Sequence, residues 1–570
     1  MRRVFLRGTI FGCMLALVAC AAGGFASVAA ASDSIFWTSY TNSGAVRVGD
    51  LGGAGARNLV TGETNPQGVA IDPATGKIYW ADSTLGAIRV ANLDGTGAQS
   101  LYTGESSPSG VAIDPSAGLI YWASAVSRTG AIRVGNLDGS GAARTLFAGE
   151  SYPVGVAIDP AAGKIYWGSY DTFKIRVGNL DGTGAADLFT GENYPTGLAI
   201  DPAAGKIYWT NEFAGNVRVG NLDGTGAATL YGGEGAVGGL AIDPSAGKIY
   251  WGDFTNGRVR VGSLSGAAPA QSLYTGETNT WFVALLRAPL GTGAPQVSGA
   301  GRVGQTLSCS PGTWASDLLS GFLFRAPQSV AYQWTIGGAP IAGATTSSVV
   351  ARSAGAYRCA VTATNAAGAT TQTSDPATVS LPPPLLGRAV NAKPVSGKVF
   401  VLIGRRLVPL TAATQIRSGA EIDALHGTVS LTTATGRGKR TQTGEFGGAV
   451  FRVTQARAGR NKGLTTLALL EKAFKGAPSF AICTANKARD ATAAAASSRT
   501  LQLLHASAHG KFRTSGRYSA ATVRGTRWTI AERCDGTLVH DLTDSVAVTD
   551  FVRHQTIVLH AGQSYLAKKP

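Results

Sequence analysis

The sequence predicts an all-β protein of several domains, with a six-bladed β-propeller filling the first half of the chain. Three observations lead there. An Ile-Tyr-Trp motif recurs as Ile78-Tyr79-Trp80, Ile120-Tyr121-Trp122, Ile165-Tyr166-Trp167, Ile207-Tyr208-Trp209 and Ile249-Tyr250-Trp251, with Ile35-Phe36-Trp37 as the first copy. The tryptophans are spaced 42 to 45 residues apart, the length of one four-stranded blade. Glycine is abundant (77 residues) and charge sparse (15%), yet aromatic and β-branched residues recur regularly, which suits folded β-structure rather than disorder. At 570 residues the chain exceeds one ordinary core, so further domains must follow the repeats.

Within one unit, four short apolar runs are separated by turn signals: Gly110-Val111-Ala112-Ile113, Ile120-Tyr121-Trp122, Ala131-Ile132-Arg133-Val134 and Ala143-Arg144-Thr145-Leu146-Phe147. Asp114-Pro115 and Leu137-Asp138-Gly139 punctuate them. Small residues such as Gly110 and Ala112 suit a first strand crowded near a central axis. Trp37, Trp80, Trp122, Trp167, Trp209 and Trp251 are expected to pack between blades rather than to stack a ligand. The phase of the repeat adds a closure prediction. The first copy begins at its second strand, and the surplus strand Phe282-Val283-Ala284-Leu285-Leu286 would complete it, giving a ring over residues 33–289 with no exposed edge.

The Tyr-Trp motif, the Val-Ala-Ile-Asp strand and the Asn-Leu-Asp-Gly turn resemble the YWTD propeller repeats of low-density lipoprotein receptors. That resemblance implies six blades and leaves the ligand open. The acid after Tyr-Trp is kept only as Asp82 and Asp253, with Ser39, Ser124, Ser169 and Asn211 elsewhere, so receptor partners are not carried over. Two polar columns also repeat: Glu63, Glu105, Glu150, Glu192, Glu234 and Glu277, and Arg47, Arg89, Arg133, Arg176, Arg218 and Arg260. A ring of acids could bind cations, but a copied unit more simply repeats a blade-stabilising contact. The blades read as nearly alike, whereas an enzymatic site needs unlike residues from different blades. No histidine precedes His426, and the repeats hold no cysteine, which removes the commonest base and thiol nucleophile. No catalytic set, metal centre or cofactor is expected.

Beyond Gly291 the order Cys309, Trp334, Tyr357-Arg358-Cys359 resembles the immunoglobulin-like sandwiches of bacterial surface proteins, over residues 292–381. The resemblance implies a Cys309–Cys359 bridge with Trp334 packed on it and Tyr357 as a tyrosine corner. Closing that 50-residue loop would stabilise by roughly 4 kcal/mol on the chain-entropy model. Residues 382–387, opening with Pro382-Pro383-Pro384, form a stiff linker. From 388 to 570, alternating strands and the segment Val523-Arg524-Gly525-Thr526-Arg527-Trp528 resemble a FecR-type β domain, interrupted by an insert at about 453–509. Cys483 and Cys534 are left to pair with each other. His505 and His509 have the i, i+4 spacing of a helical metal pair, but with no third ligand they read as surface residues.

The N-terminus reads as an export signal over residues 1–31, with Arg2, Arg3 and Arg7 ahead of an apolar stretch. Cleavage near Ala31 competes with lipidation at Cys20 in Leu17-Val18-Ala19-Cys20; the first leaves an even four cysteines, as an oxidising compartment favours. No later stretch is apolar for long enough to span a membrane as a helix. Residues 385–570 hold 27 Lys/Arg against 10 Asp/Glu, so the excess positive charge lies in the last third. Outside the cell this suits anionic envelope polymers or lipid headgroups rather than nucleic acid. The expected protein is a secreted, periplasmic or cell-surface binding protein, its propeller meeting an unknown protein or glycan. A propeller hydrolase or lyase and an extracellular signalling protein are the alternatives.

Overall fold

The computed structural model describes residues 33–41, 43–404, 406–436, 440–485 and 498–570. The expected export signal, with Cys20 and Ala31, and the run from Ala491 to Ala496 lie outside the described residues. The chain is all-β, and its residues cluster into two compact units. The first comprises 1–293 with 313–330 and 362–371; the second comprises 294–312, 331–361 and 372–570. This partition departs from the linear order of the expected domains, because two pieces of the 292–381 span belong with the repeats.

In the first unit each repeat makes an antiparallel sheet. Sheets 2 to 6 take their four strands in chain order, beginning at Pro66–Asp72, Pro108–Asp114, Pro153–Asp159, Pro195–Asp201 and Val237–Asp243. Sheet 1 is built from Ser34–Ser39, Gly44–Asp50 and Arg57–Glu63, and its missing inner strand is supplied by Thr280–Leu286, with Ile35 opposite Leu285 and Trp37 opposite Val283. The two ends of the repeat array therefore close the ring inside one sheet, and the fold is a β-propeller. Closure pairs the inner edge of Ser34–Ser39, which would otherwise lie open. The inner strands approach so closely that glycine is required: a Cβ on Gly110 or Gly197 would strike the backbone of the next inner strand.

One end of the ring is covered by the segment Asp317 to Arg325. Its 3-10 turn Leu319–Gly321 lies against the inner strands of sheets 3 to 6, and Leu323–Phe324 adds to sheet 1 in parallel with Leu285 and Leu286. Phe322, Leu323 and Phe324 are buried in the propeller's core. The polar end of the segment is satisfied by a fully buried carboxylate: Asp243 receives Arg325 at 2.8 Å and is also paired with Arg287. Burial alone would raise the Asp243 carboxyl, but the Ser245 hydroxyl and the guanidinium groups of Arg325 and Arg287 hold it below its ordinary value. Asp317 accepts the backbone N–H groups of Arg325 and Ala326 at 2.6 and 2.7 Å, which pins the segment into a loop.

In the second unit, disulfides join Cys309 to Cys359 and Cys483 to Cys534. Near the first, Trp334 is fully buried with its indole N–H on Thr346 O, and the Tyr357 hydroxyl reaches back to Ser353 O at 3.1 Å. Residues 389–568 form a 13-stranded sheet around Phe446, Phe451, Phe512 and Trp528, whose indole donates to Thr514 at 2.9 Å. Val450–Gln455, Thr465–Leu469 and Thr500–Ser515 are strands of that sheet, so much of the expected insert is part of the β-structure. His505 and His509 lie on the last of these strands, both exposed, and not on a helix. Their four-residue spacing puts them on one face because strand side chains alternate.

Candidate functional site: the open mouth of the propeller

The six repeated tryptophans are completely buried, and each belongs to a contact that joins neighbouring sheets. Trp80 of sheet 2 donates its indole N–H to Glu63 of sheet 1 at 2.8 Å, and Arg89 pairs with the same carboxylate while its guanidinium lies 5.7 Å over the Trp80 ring. Trp122, Trp167 and Trp209 repeat this with Glu105, Glu150 and Glu192 at 2.7 to 2.9 Å. Trp37 donates to Glu277 at 3.0 Å, so the same contact joins the last sheet to the first. In the sixth copy Arg260 holds Glu234 at 2.8 Å, but the Trp251 N–H has no partner. On the other face of the ring stack Tyr102 against Trp122, Phe147 against Trp167 and Phe189 against Trp209. The six acids are at most 7% exposed and all are paired with arginine. They are a structural lattice between sheets, not a ring of free carboxylates.

The end of the ring opposite the Asp317–Arg325 segment is built differently. There the inner strand of each sheet begins beside the end of the second strand, as in the pairs Pro66 with Asp82 and Pro195 with Asn211. One backbone bond recurs in all six copies: the N–H of Tyr40, Ser83, Ala125, Tyr170, Glu212 and Phe254 donates to the carbonyl of Asn279, Asn65, Ser107, Tyr152, Tyr194 and Ala236, respectively. These two columns sit on the same scaffold and yet are chemically unlike. The reading that the repeats barely differ is therefore corrected. They agree in the lattice and diverge at this mouth, where unlike residues from different sheets meet.

The divergence concentrates aromatic rings around one acid. Tyr170 lies 4.7 Å from Tyr194 and 5.3 Å from Tyr152, and Phe213 stands edge-on to Tyr194 at 5.0 Å. Phe173 meets Tyr194 edge-on at 4.9 Å. A second group, Tyr40, Phe254 and Trp281, packs with centroids 5.4 to 6.1 Å apart. Phe213 is 64% exposed, and Tyr152 and Phe173 are also open to solvent, so these three rings lie at the surface, whereas Trp281 is buried in the propeller's core. Between them the Glu212 carboxyl is half-buried; burial pushes its pKa above the ordinary value, and the bond from the Tyr170 hydroxyl only partly compensates. The same environment raises the Tyr152 hydroxyl, through burial first and then through Tyr40, Asp171 and Glu212.

Backbone strain collects at the same place. Tyr152 and Tyr194 are held at φ 49° and 55°, where other copies place Asn65, Ser107 and Asn279. Phe173 has φ 61°, while the equivalent turn positions in sheets 2, 5 and 6 are Gly86, Gly215 and Gly257. Bulky side chains in the left-handed region cost of order 1–3 kcal/mol each, and such strain clusters at ligand clamps and active sites. Aligning the repeats on the tryptophan makes the varying columns visible in the sequence; what it does not show is that they share one face.

A closed ring of antiparallel sheets with one end covered by the Asp317–Arg325 segment and a divergent, aromatic opposite end defines a β-propeller protein. The family model described as outer membrane protein assembly factor BamB matches residues 21–169. Among solved structures, a chain of the nidogen/laminin complex is 20% identical, with a TM-score of 0.40 over 44% of this chain and 98% of that one. TolB from Acinetobacter baumannii is 12% identical, with a TM-score of 0.38 over 45% of this chain and 67% of that one. No curated protein matches the chain. Among the described residues no helix is long and apolar enough to cross a membrane, and no group of three or more His, Cys, Asp or Glu is placed to hold a metal ion.

Proposed function

We propose that this chain is an exported, non-enzymatic binding protein of the cell surface or periplasm that captures its ligand at the open mouth of the propeller. The observation that carries the reading is the coincidence, on one face, of divergent side chains and three aromatic residues in left-handed backbone, Tyr152, Phe173 and Tyr194. In the sister copies the left-handed residues at these positions are Gly86, Gly215, Gly257, Asn65, Ser107 and Asn279, all small or polar. The six sheets are then the blades of a YWTD-type propeller over residues 33–289. The Cys309–Cys359 module at 292–381 acts as an immunoglobulin-like spacer, and the FecR-like sheet at 388–570 carries the basic surface toward anionic envelope polymers or headgroups. Charge supports that last assignment, since the excess of Lys and Arg lies there.

The test is co-sedimentation of the full-length protein with isolated cell envelopes at low and high salt, for wild type and for a variant carrying Tyr152→Ser, Phe173→Gly and Phe213→Ser. Salt-sensitive sedimentation retained by the variant would report the basic sheet. A salt-resistant fraction present only in wild type would report the mouth. Identical behaviour of both proteins at every salt concentration would remove the mouth from the recognition function.

A further inference from the structure

Taking the mouth as a recognition face, we infer that its ligand group is a lysine side chain of a partner protein, with the ammonium at Glu212 and the methylene stem against Tyr170, Tyr194 and Phe213. The argument is one of charge and shape complementarity. Glu212 is a carboxylate beside the Tyr170 hydroxyl and adjacent in the chain to Phe213, and no ion pair to it occurs among the described residues. Each lattice glutamate, by contrast, has its arginine. Asn211 Oδ1 and Asn216 Oδ1, at the strand ends that flank the Glu212 turn, are buried acceptors without a donor. The neighbouring Asp171 is exposed and accepts Ser127 Oγ at 2.6 Å, and Lys174 is already paired with Asp187 at 2.7 Å.

The rings complete the match. Tyr194 and Phe213 are almost perpendicular, and Tyr170 is tilted against Tyr194 and edge-on to Phe213, so the cluster beside the acid presents ring faces as well as edges. Ring faces attract a cation within about 6 Å, most strongly where water is displaced. A lysine combines that head with an apolar stem of four methylenes, which suits a half-open aromatic rim better than a compact inorganic cation does. A neutral sugar could stack on Phe213, but it would leave the desolvated carboxylate without a counter-charge.

The experiment uses the full chain and ligand-observed NMR titration with the peptide acetyl-Gly-Lys-Gly-amide and its counterpart acetylated on the lysine Nε. The lysine peptide is expected to bind saturably, at least tenfold tighter than the acetylated one. Glu212→Gln and Phe213→Ala should each weaken it by at least fivefold while leaving the melting temperature within a few degrees. Equal binding of the two peptides, or no saturable binding of either, overturns the lysine assignment. If the mouth variant also sediments like wild type, the recognition face fails with it; if that variant loses its salt-resistant fraction, the face stands and only the ligand class is wrong. Arginine- and choline-based probes would then identify the class.

Discussion

The lattice between sheets and the mouth at the ring's open end are made from the same six copies, yet they follow opposite rules. In the lattice every copy keeps a buried tryptophan and a buried glutamate that is paired with arginine. At the mouth every copy keeps its backbone bond and changes its side chain. Repetition serves closure, because each sheet must fit two neighbours of the same shape. Divergence serves recognition, because a ligand on the axis touches several copies at once and needs unlike groups to define its orientation.

Five measurements would break or sharpen this contrast. The largest effect is expected from Trp167→Ala, which empties a fully buried site between sheets and should cost about 3–5 kcal/mol in denaturant unfolding. Arg325→Ala should follow at about 3 kcal/mol, since the fully buried Asp243 would lose its one buried guanidinium partner and keep only the part-exposed Arg287. Its size measures how firmly the covering segment belongs to the propeller. A loss below about 0.5 kcal/mol would show that the segment only rests there.

Smaller effects test the rules within each region. Trp167→Phe removes a hydrogen bond to Glu150, whereas Trp251→Phe removes an indole that has no partner; the first should cost about 1 kcal/mol more than the second. At the mouth, Tyr152→Asn trades some ring packing for relief of a left-handed tyrosine and should change stability by less than about 1 kcal/mol. Titration supplies the sign at Glu212. Its folded pKa is raised, so the neutral acid favours folding below the unfolded value and this stabilisation is lost as pH rises through the folded value. Glu212→Gln should therefore gain stability relative to wild type between about pH 4 and neutrality, read from melting curves across that range. An unchanged difference would place the Glu212 carboxyl in free solvent.

Much of the first unit was legible in the sequence because the lattice is periodic. Tryptophan at a spacing of 42 to 45 residues announces copied sheets, and the surplus strand at Phe282 to Leu286 announces how the ring closes. The Cys309–Cys359 pair followed from a familiar order of Cys, Trp and Tyr-x-Cys. The mouth was only half legible: Tyr152 and Tyr194, and Tyr170 and Glu212, fall in register with the repeat, but nothing in the sequence says that these two columns meet on one face of the ring. The covering segment was not legible. Asp317 to Arg325 reads as a short apolar run inside an immunoglobulin-like pattern, and nothing local says that Arg325 will meet Asp243. The strand at His505 and His509 was obscured for a similar reason, since a four-residue spacing fits one face of a strand as well as one face of a helix.

What the sequence determined by itself is what repetition encodes: the number of tryptophan copies, their turns, the closing strand and the all-β class. Local pattern suffices there, because each copy meets a neighbour built by the same rule. Tertiary structure decided which carboxylates are neutralised by arginine, which end of the ring is covered, and which scattered aromatic residues come together. Those outcomes depend on distances between residues tens to hundreds of positions apart, and only closure of the ring brings them within reach of one another.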